Sequence, residues 1–183
     1  MPDVLDLLTQ LVGDRPSPLF ATLLVVHIAA GLTAVVAGAT ATLSPKRSGR
    51  HPRAGRTYYM ALCVVCATAV GMAAMRWPED EYLVVLGSLS LAAASLAYLA
   101  RHYRWQGWIR LHILGMGTSY IVLMTAFYLD NGPRLPMWDR LPLLAFWIVP
   151  TLIGFPLVVR ALGRYRGGLH IPRVRASERP VAL

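Results

Sequence analysis

Five stretches of this chain contain no Asp, Glu, Lys or Arg: Leu19 to Leu43, Tyr58 to Met75, Leu83 to Ala100, Leu111 to Leu129 and Leu141 to Val159. Each is close to the roughly 20 apolar residues that a helix needs to cross a bilayer core. The sequence therefore predicts an all-α integral membrane bundle of five transmembrane helices within residues 19–160. A short segment (1–18) precedes the bundle and a basic tail (161–183) follows it.

The charges between the stretches alternate in sign. Lys46, Arg47, Arg50, Arg53 and Arg56 follow the first stretch, Arg101, Arg104 and Arg110 the third, and Arg160, Arg164, Arg166, Arg173, Arg175 and Arg179 the fifth, with Glu178 as the only acid among them. The remaining gaps hold Asp3, Asp6, Asp14 and Arg15, then Arg76, Glu79, Asp80 and Glu81, then Asp130, Arg134, Asp139 and Arg140. By the positive-inside rule the N-terminus is expected outside and the C-terminus in the cytoplasm, as an odd number of spans requires. A net charge of +9 is also what nucleic-acid binders carry, but topology accounts for it here. The implied partners are the lipid bilayer and anionic lipid head groups on the cytoplasmic side, with no nucleic acid.

Aromatic residues mark the borders, where amphipathic rings prefer to sit: Tyr58, Tyr59, Trp77, Tyr82, Tyr98, Tyr103, Trp105, Trp108, Tyr128 and Trp138 all fall near stretch ends. Residues before Leu19 are net acidic and the basic cluster follows the apolar core, the reverse of a secretory signal, so the first span is expected to be retained. Val4 to Val12 is too short to span. Its apolar side of Val4, Leu5, Leu8, Leu11 and Val12 suits a short interfacial helix on the outer surface. Gly167, Gly168, Pro172 and Pro180 make the tail an extended segment by expectation.

Chemistry inside the spans starts with His27, since a bilayer makes an ionisable side chain costly to keep. It shares a face with Gly31, Ala34 and Gly38, and Ala30, Ala34 and Gly38 form a row of small residues that lets helices approach closely. At about 1.5 Å of rise per residue, His27, Thr68, Ser90, Tyr120 and Thr151 fall near one depth, one from each span. They form a candidate midplane polar layer in which a His27–Tyr120 hydrogen bond would satisfy both groups. Pro150, Gly154 and Pro156 predict a kinked or broken fifth helix, and broken helices mark substrate sites in transporters.

His112 opens the fourth span close to the cytoplasmic surface. With His51 and His102 in the basic loops and the Cys63/Cys66 pair in the inner leaflet, it supplies a nitrogen and sulfur set suited to zinc or copper. The competing reading makes the cysteines small packing residues. A haem bridging His27 and His112 is disfavoured, because the depth arithmetic separates them by more than about 10 Å. A haem on either histidine with another ligand stays open.

The run H-I-A-A-G at His27, the loop H-P-R-A-G-R at His51, the motif H-I-L-G-M-G-T-S-Y-I-V-L-M-T-A-F-Y-L-D-N-G-P from His112 to Pro133, and W-I-V-P-T-L-I-G-F-P after it resemble the bacterial membrane proteins grouped as domain of unknown function 2306. The resemblance runs from about Leu19 to Arg160. It implies a multi-pass protein of the bacterial cytoplasmic (inner) membrane with histidines at positions matching His27, His51 and His112, and it carries no activity with it.

Three functions fit these residues. The first is a redox or cofactor-binding unit with haem b or a quinone in a cleft between the small-residue face at Gly31 and the fourth span, held by His27 or His112 and by Tyr120. The second is a transporter of a small solute or proton at the midplane layer, although the spans hold no acid to couple to cations. The third is a structural or assembly subunit docking a membrane-protein partner or a second copy through its small-residue faces. Soluble-enzyme constellations are missing, with neither a triad acid at membrane depth nor a phosphate-binding glycine loop.

Overall fold

A computed structural model describes residues 17–46, 49–76, 81–136, 138 and 140–165. Five helices hold most of them: α1 (Pro18–Leu43), α2 (Arg50–Met75), α3 (Glu81–His102), α4 (Trp108–Asn131) and α5 (Leu143–Tyr165), with a 3-10 turn at Gly132–Arg134. No strand occurs among the described residues. The five spans are 22 to 27 residues long, or about 33–40 Å of helix. Both Val4 to Val12, expected to lie on the membrane surface, and the tail after Tyr165 lie outside the described residues.

The helices overrun the apolar stretches because a basic residue ends apolarity without ending helicity; arginine is a good helix former. Thus α2 starts at Arg50, two turns before Tyr58, and α5 continues through Arg160 and Arg164 to Tyr165. Ser17 caps α1, its hydroxyl accepting the Phe20 N–H at 3.2 Å with Pro18 behind it. Of the kink or break expected in the fifth helix, the break does not occur. Both Pro150 and Pro156 lie inside continuous α5, which is held along α4 on either side of them. Phe146 packs on Gly132, Gly154 on Ile121 and Val158 on Gly117.

α1 packs along α2, α3 along α4, and α5 along α4; α2 also meets α3, and α1 touches α4. The first four helices thus form a ring with α2 and α4 on one diagonal, and α5 is peripheral. The interior is built of small residues, among them Ala34, Ala37, Ala61, Ala94, Ala97 and Ala100. Large apolar side chains face outward, including Val36 at 65% exposure and Leu152 at 65%. An apolar exterior around a small-residue interior is stable only in hydrocarbon, where close backbone approach replaces the hydrophobic drive.

At Gly115 the close approach is to a neighbouring backbone, which cannot swing aside as a side chain can. A Cβ there would sit 2.6 Å from the Ala93 carbonyl oxygen and 2.8 Å from the Ala97 Cβ, whereas at Gly31 it would meet nothing within 4 Å. Gly115→Val is expected to lower the thermal midpoint in detergent through an overpacking cost of about 1–3 kcal/mol. Gly31→Ala should leave the midpoint unchanged or raise it, since alanine is favoured over glycine in a helix by up to about 1 kcal/mol.

Candidate functional site

The site begins with a carbonyl that proline strands. The Ala41 carbonyl near the end of α1 would ordinarily accept from the N–H four residues on, and Pro45 has none. His51 Nδ1 at 2.8 Å and Lys46 Nζ at 2.7 Å bond to it instead. The Lys46 ammonium also donates to the Thr42 carbonyl at 2.9 Å. Burial, and then the Arg164 charge, lower its pKa from the ordinary lysine value.

The second hairpin repeats the arrangement. His112, in the first turns of α4, places Nδ1 3.3 Å from the Ala97 carbonyl near the end of α3. A carbonyl only accepts, so Nδ1 carries the proton in both rings; in a neutral imidazole this leaves Nε2 with a free lone pair. Across the α2–α4 diagonal the His51 and His112 rings stand with centroids 6.4 Å apart and planes at 86°. Lys46 and Arg101 act electrostatically on both rings.

Seven residues further along each helix, and so on the same faces, lie Tyr58 and Ser119. The Tyr58 hydroxyl and Ser119 Oγ are 2.6 Å apart. Ser90 on α3 donates to the Ser119 carbonyl at 2.9 Å, with the two serine oxygens 3.1 Å apart. All three side chains are buried. This network is satisfied within itself and forms the floor beneath the histidine pair. Tyr120 stands edge-on to Tyr58 at 5.9 Å.

The expected His27–Tyr120 pair is not formed. His27 Nδ1 bonds Thr68 Oγ1 at 2.9 Å, and Tyr120 donates to the Val35 carbonyl at 3.0 Å with its ring lying on Gly38. Helical side chains lean toward the N-terminus of their own helix, so the Tyr120 phenol reaches well away from the level of its Cα. The midplane layer divides accordingly: His27 with Thr68, Ser90 with Ser119, and Thr151 exposed on α5.

The five-residue metal set also divides. His51 meets His112, but His102 lies between the Tyr98 and Tyr103 rings, at 6.3 and 4.9 Å. Cys66 donates to the Gly87 carbonyl at 3.4 Å and Cys63 is a free, partly buried thiol. Among the described residues no three His, Cys, Asp or Glu side chains converge. Tyr58, read from sequence as a border aromatic, is a core residue at 1% exposure. The seven-residue spacing from His51 to Tyr58, matched by His112 to Ser119, is the signal that places each pair on one face.

Four membrane helices in a ring, with an imidazole pair across the α2–α4 diagonal and a fifth helix outside, define a multi-pass helical membrane protein. Residues 24–161 match the family model described as predicted membrane protein (DUF2306), and the chain belongs to that family. No curated protein and no solved structure matches the chain.

The diagonal hydrogen bond can be measured by a double-mutant cycle. Tyr58→Phe and Ser119→Ala, alone and together, should give a coupling energy of about 0.5–1.5 kcal/mol in chemical or thermal unfolding.

Proposed function

We propose that the protein is a haem-binding electron carrier of the bacterial cytoplasmic membrane, with His51 and His112 as the two axial ligands of one iron. The observation that carries this reading is the pair of imidazoles meeting from diagonal helices, each with Nδ1 committed to a backbone carbonyl. Metal–nitrogen bonds of about 2.0 Å on opposite sides of one ion set two ring centroids roughly 6 Å apart. The observed separation is 6.4 Å.

The ligand count selects the cofactor. A bare zinc or copper ion takes three or four protein ligands, and no third ligand side chain converges here among the described residues. A porphyrin iron brings four nitrogens of its own, so two imidazoles complete it. Quinone carbonyls need hydrogen-bond donors, whereas a neutral imidazole whose Nδ1 already donates offers only the lone pair of Nε2. Bundle cores commonly build cofactor sites from side chains on facing helices. Held by His51 and His112, a haem would supply electron transfer.

The positive-inside rule would put the end bearing Lys46, Arg101 and Arg164 at the cytoplasmic surface, among anionic lipid head groups. The haem would then sit near that surface and not at the midplane beside His27. Transport is the weaker reading, because α5 is continuous and the apolar stretches hold no acid.

The full chain, purified after expression with haem supplied, is expected to show a low-spin Soret band that shifts on dithionite reduction. His51→Ala and His112→Ala should each abolish the low-spin form, with His27→Ala retaining it. A wild-type protein that takes up no haem, or one whose spectrum depends on His27 alone, would contradict the assignment.

A further inference from the structure

Each hairpin brings one cation to its histidine. In the first, Lys46 and His51 share the Ala41 carbonyl, at 2.7 and 2.8 Å. In the second, Arg101 follows by one turn the Ala97 carbonyl that holds His112 at 3.3 Å. Both cations act on both rings, and Arg164 acts on Lys46. The described acids, Glu81 and Asp130, lie at the opposite ends of α3 and α4. Lys46, Arg101 and Arg164 are exposed and so open to an anion, and an anion there would offset the mutual repulsion of like charges gathered at one end. Two of the three Lys46 donors are engaged with carbonyls, leaving one, and the Arg101 guanidinium is a fork suited to a carboxylate.

The repeated plan sharpens the choice of anion. The two hairpins, α1 with α2 and α3 with α4, share one plan: the second helix places its histidine on a carbonyl of the first, and a basic residue, Lys46 or Arg101, follows that carbonyl. Haem has one approximate two-fold axis. It lies in the plane of the ring, between the two propionates, and exchanges both the two faces and the two propionates.

We propose that Lys46 and Arg101 receive the two propionates of a haem whose iron is held by His51 and His112, so that the site selects the free diacid. The proposal rests on the haem reading above and adds to it the orientation of the ring, with its carboxylates toward the basic end and its apolar edge toward Tyr58 and Ser119.

The test is a Soret titration of the full-length, haem-free protein in detergent with haemin and with its dimethyl ester, which keeps the iron and removes both charges. The ester is expected to bind at least about tenfold more weakly, the scale of one charge-assisted hydrogen bond, with the same low-spin spectrum. In the Lys46→Gln/Arg101→Gln variant the two affinities should converge while the spectrum stays low-spin, and Arg101→Lys should restore part of the preference. An ester that binds wild-type protein as tightly as the diacid would overturn the propionate assignment and leave the axial ligands standing. Undiminished preference in the double variant would do the same. Failure of both compounds to bind would overturn the haem reading and this inference with it.

Discussion

Hydrocarbon offers no partner to a stranded polar group, and the described interior of this bundle is arranged around that constraint. Tyr58, Ser119 and Ser90 tie α2, α4 and α3 to one another through hydroxyls that satisfy each other. The Ala41 carbonyl, left without a backbone donor by Pro45, draws in Lys46 and His51. The geometry of the histidine pair follows from these obligations. One ring is pinned by a helix end that needs a donor, the other by a carbonyl of the neighbouring helix, and the diagonal pairing two turns deeper sets how far apart the two rings stand. Side chains committed in this way are held before any ligand arrives, which is the preorganisation a cofactor site needs.

Much of the architecture was legible in the sequence. Five spans and their approximate limits follow from charge-free runs, because placing Arg or Asp in hydrocarbon costs several kcal/mol. Helix ends were less legible: α2 begins at Arg50 because helical hydrogen bonding does not stop where apolarity does. Pro150 and Pro156 suggested a kinked or broken helix, yet contacts of Phe146 with the 3-10 turn at Gly132, and of Gly154 and Val158 with α4, hold α5 continuous. A proline weakens a helix locally; whether the helix breaks depends on what supports it.

The candidate site was partly legible. His51 and His112 were both marked as ligand-type residues, but as members of a larger set that the packing divides. Counting residues along a helix gives depth in the membrane and says little about which helices stand on a diagonal. That choice is made by close contacts such as Gly115 against Ala93 and Ala97. Tyr120 shows the second blind spot. Its Cα lies near the depth of His27, but a phenol leaning along its helix reaches the carbonyl of Val35 and the surface of Gly38. His27 takes Thr68 as its partner, which joins α1 to α2 outside the site. Tyr58 was hidden for the opposite reason, since a tyrosine at a span border reads as an interface anchor until its face is compared with that of His51.

The most direct measurement is the low-temperature electron paramagnetic resonance spectrum of the ferric protein, with haem and protein quantified in the same sample. Two imidazoles on one iron predict a low-spin ferric signal at one haem per chain, and ring planes at 86° predict its strongly anisotropic form. A high-spin signal, or a low-spin signal that persists when His51 and His112 are both replaced, would contradict the account.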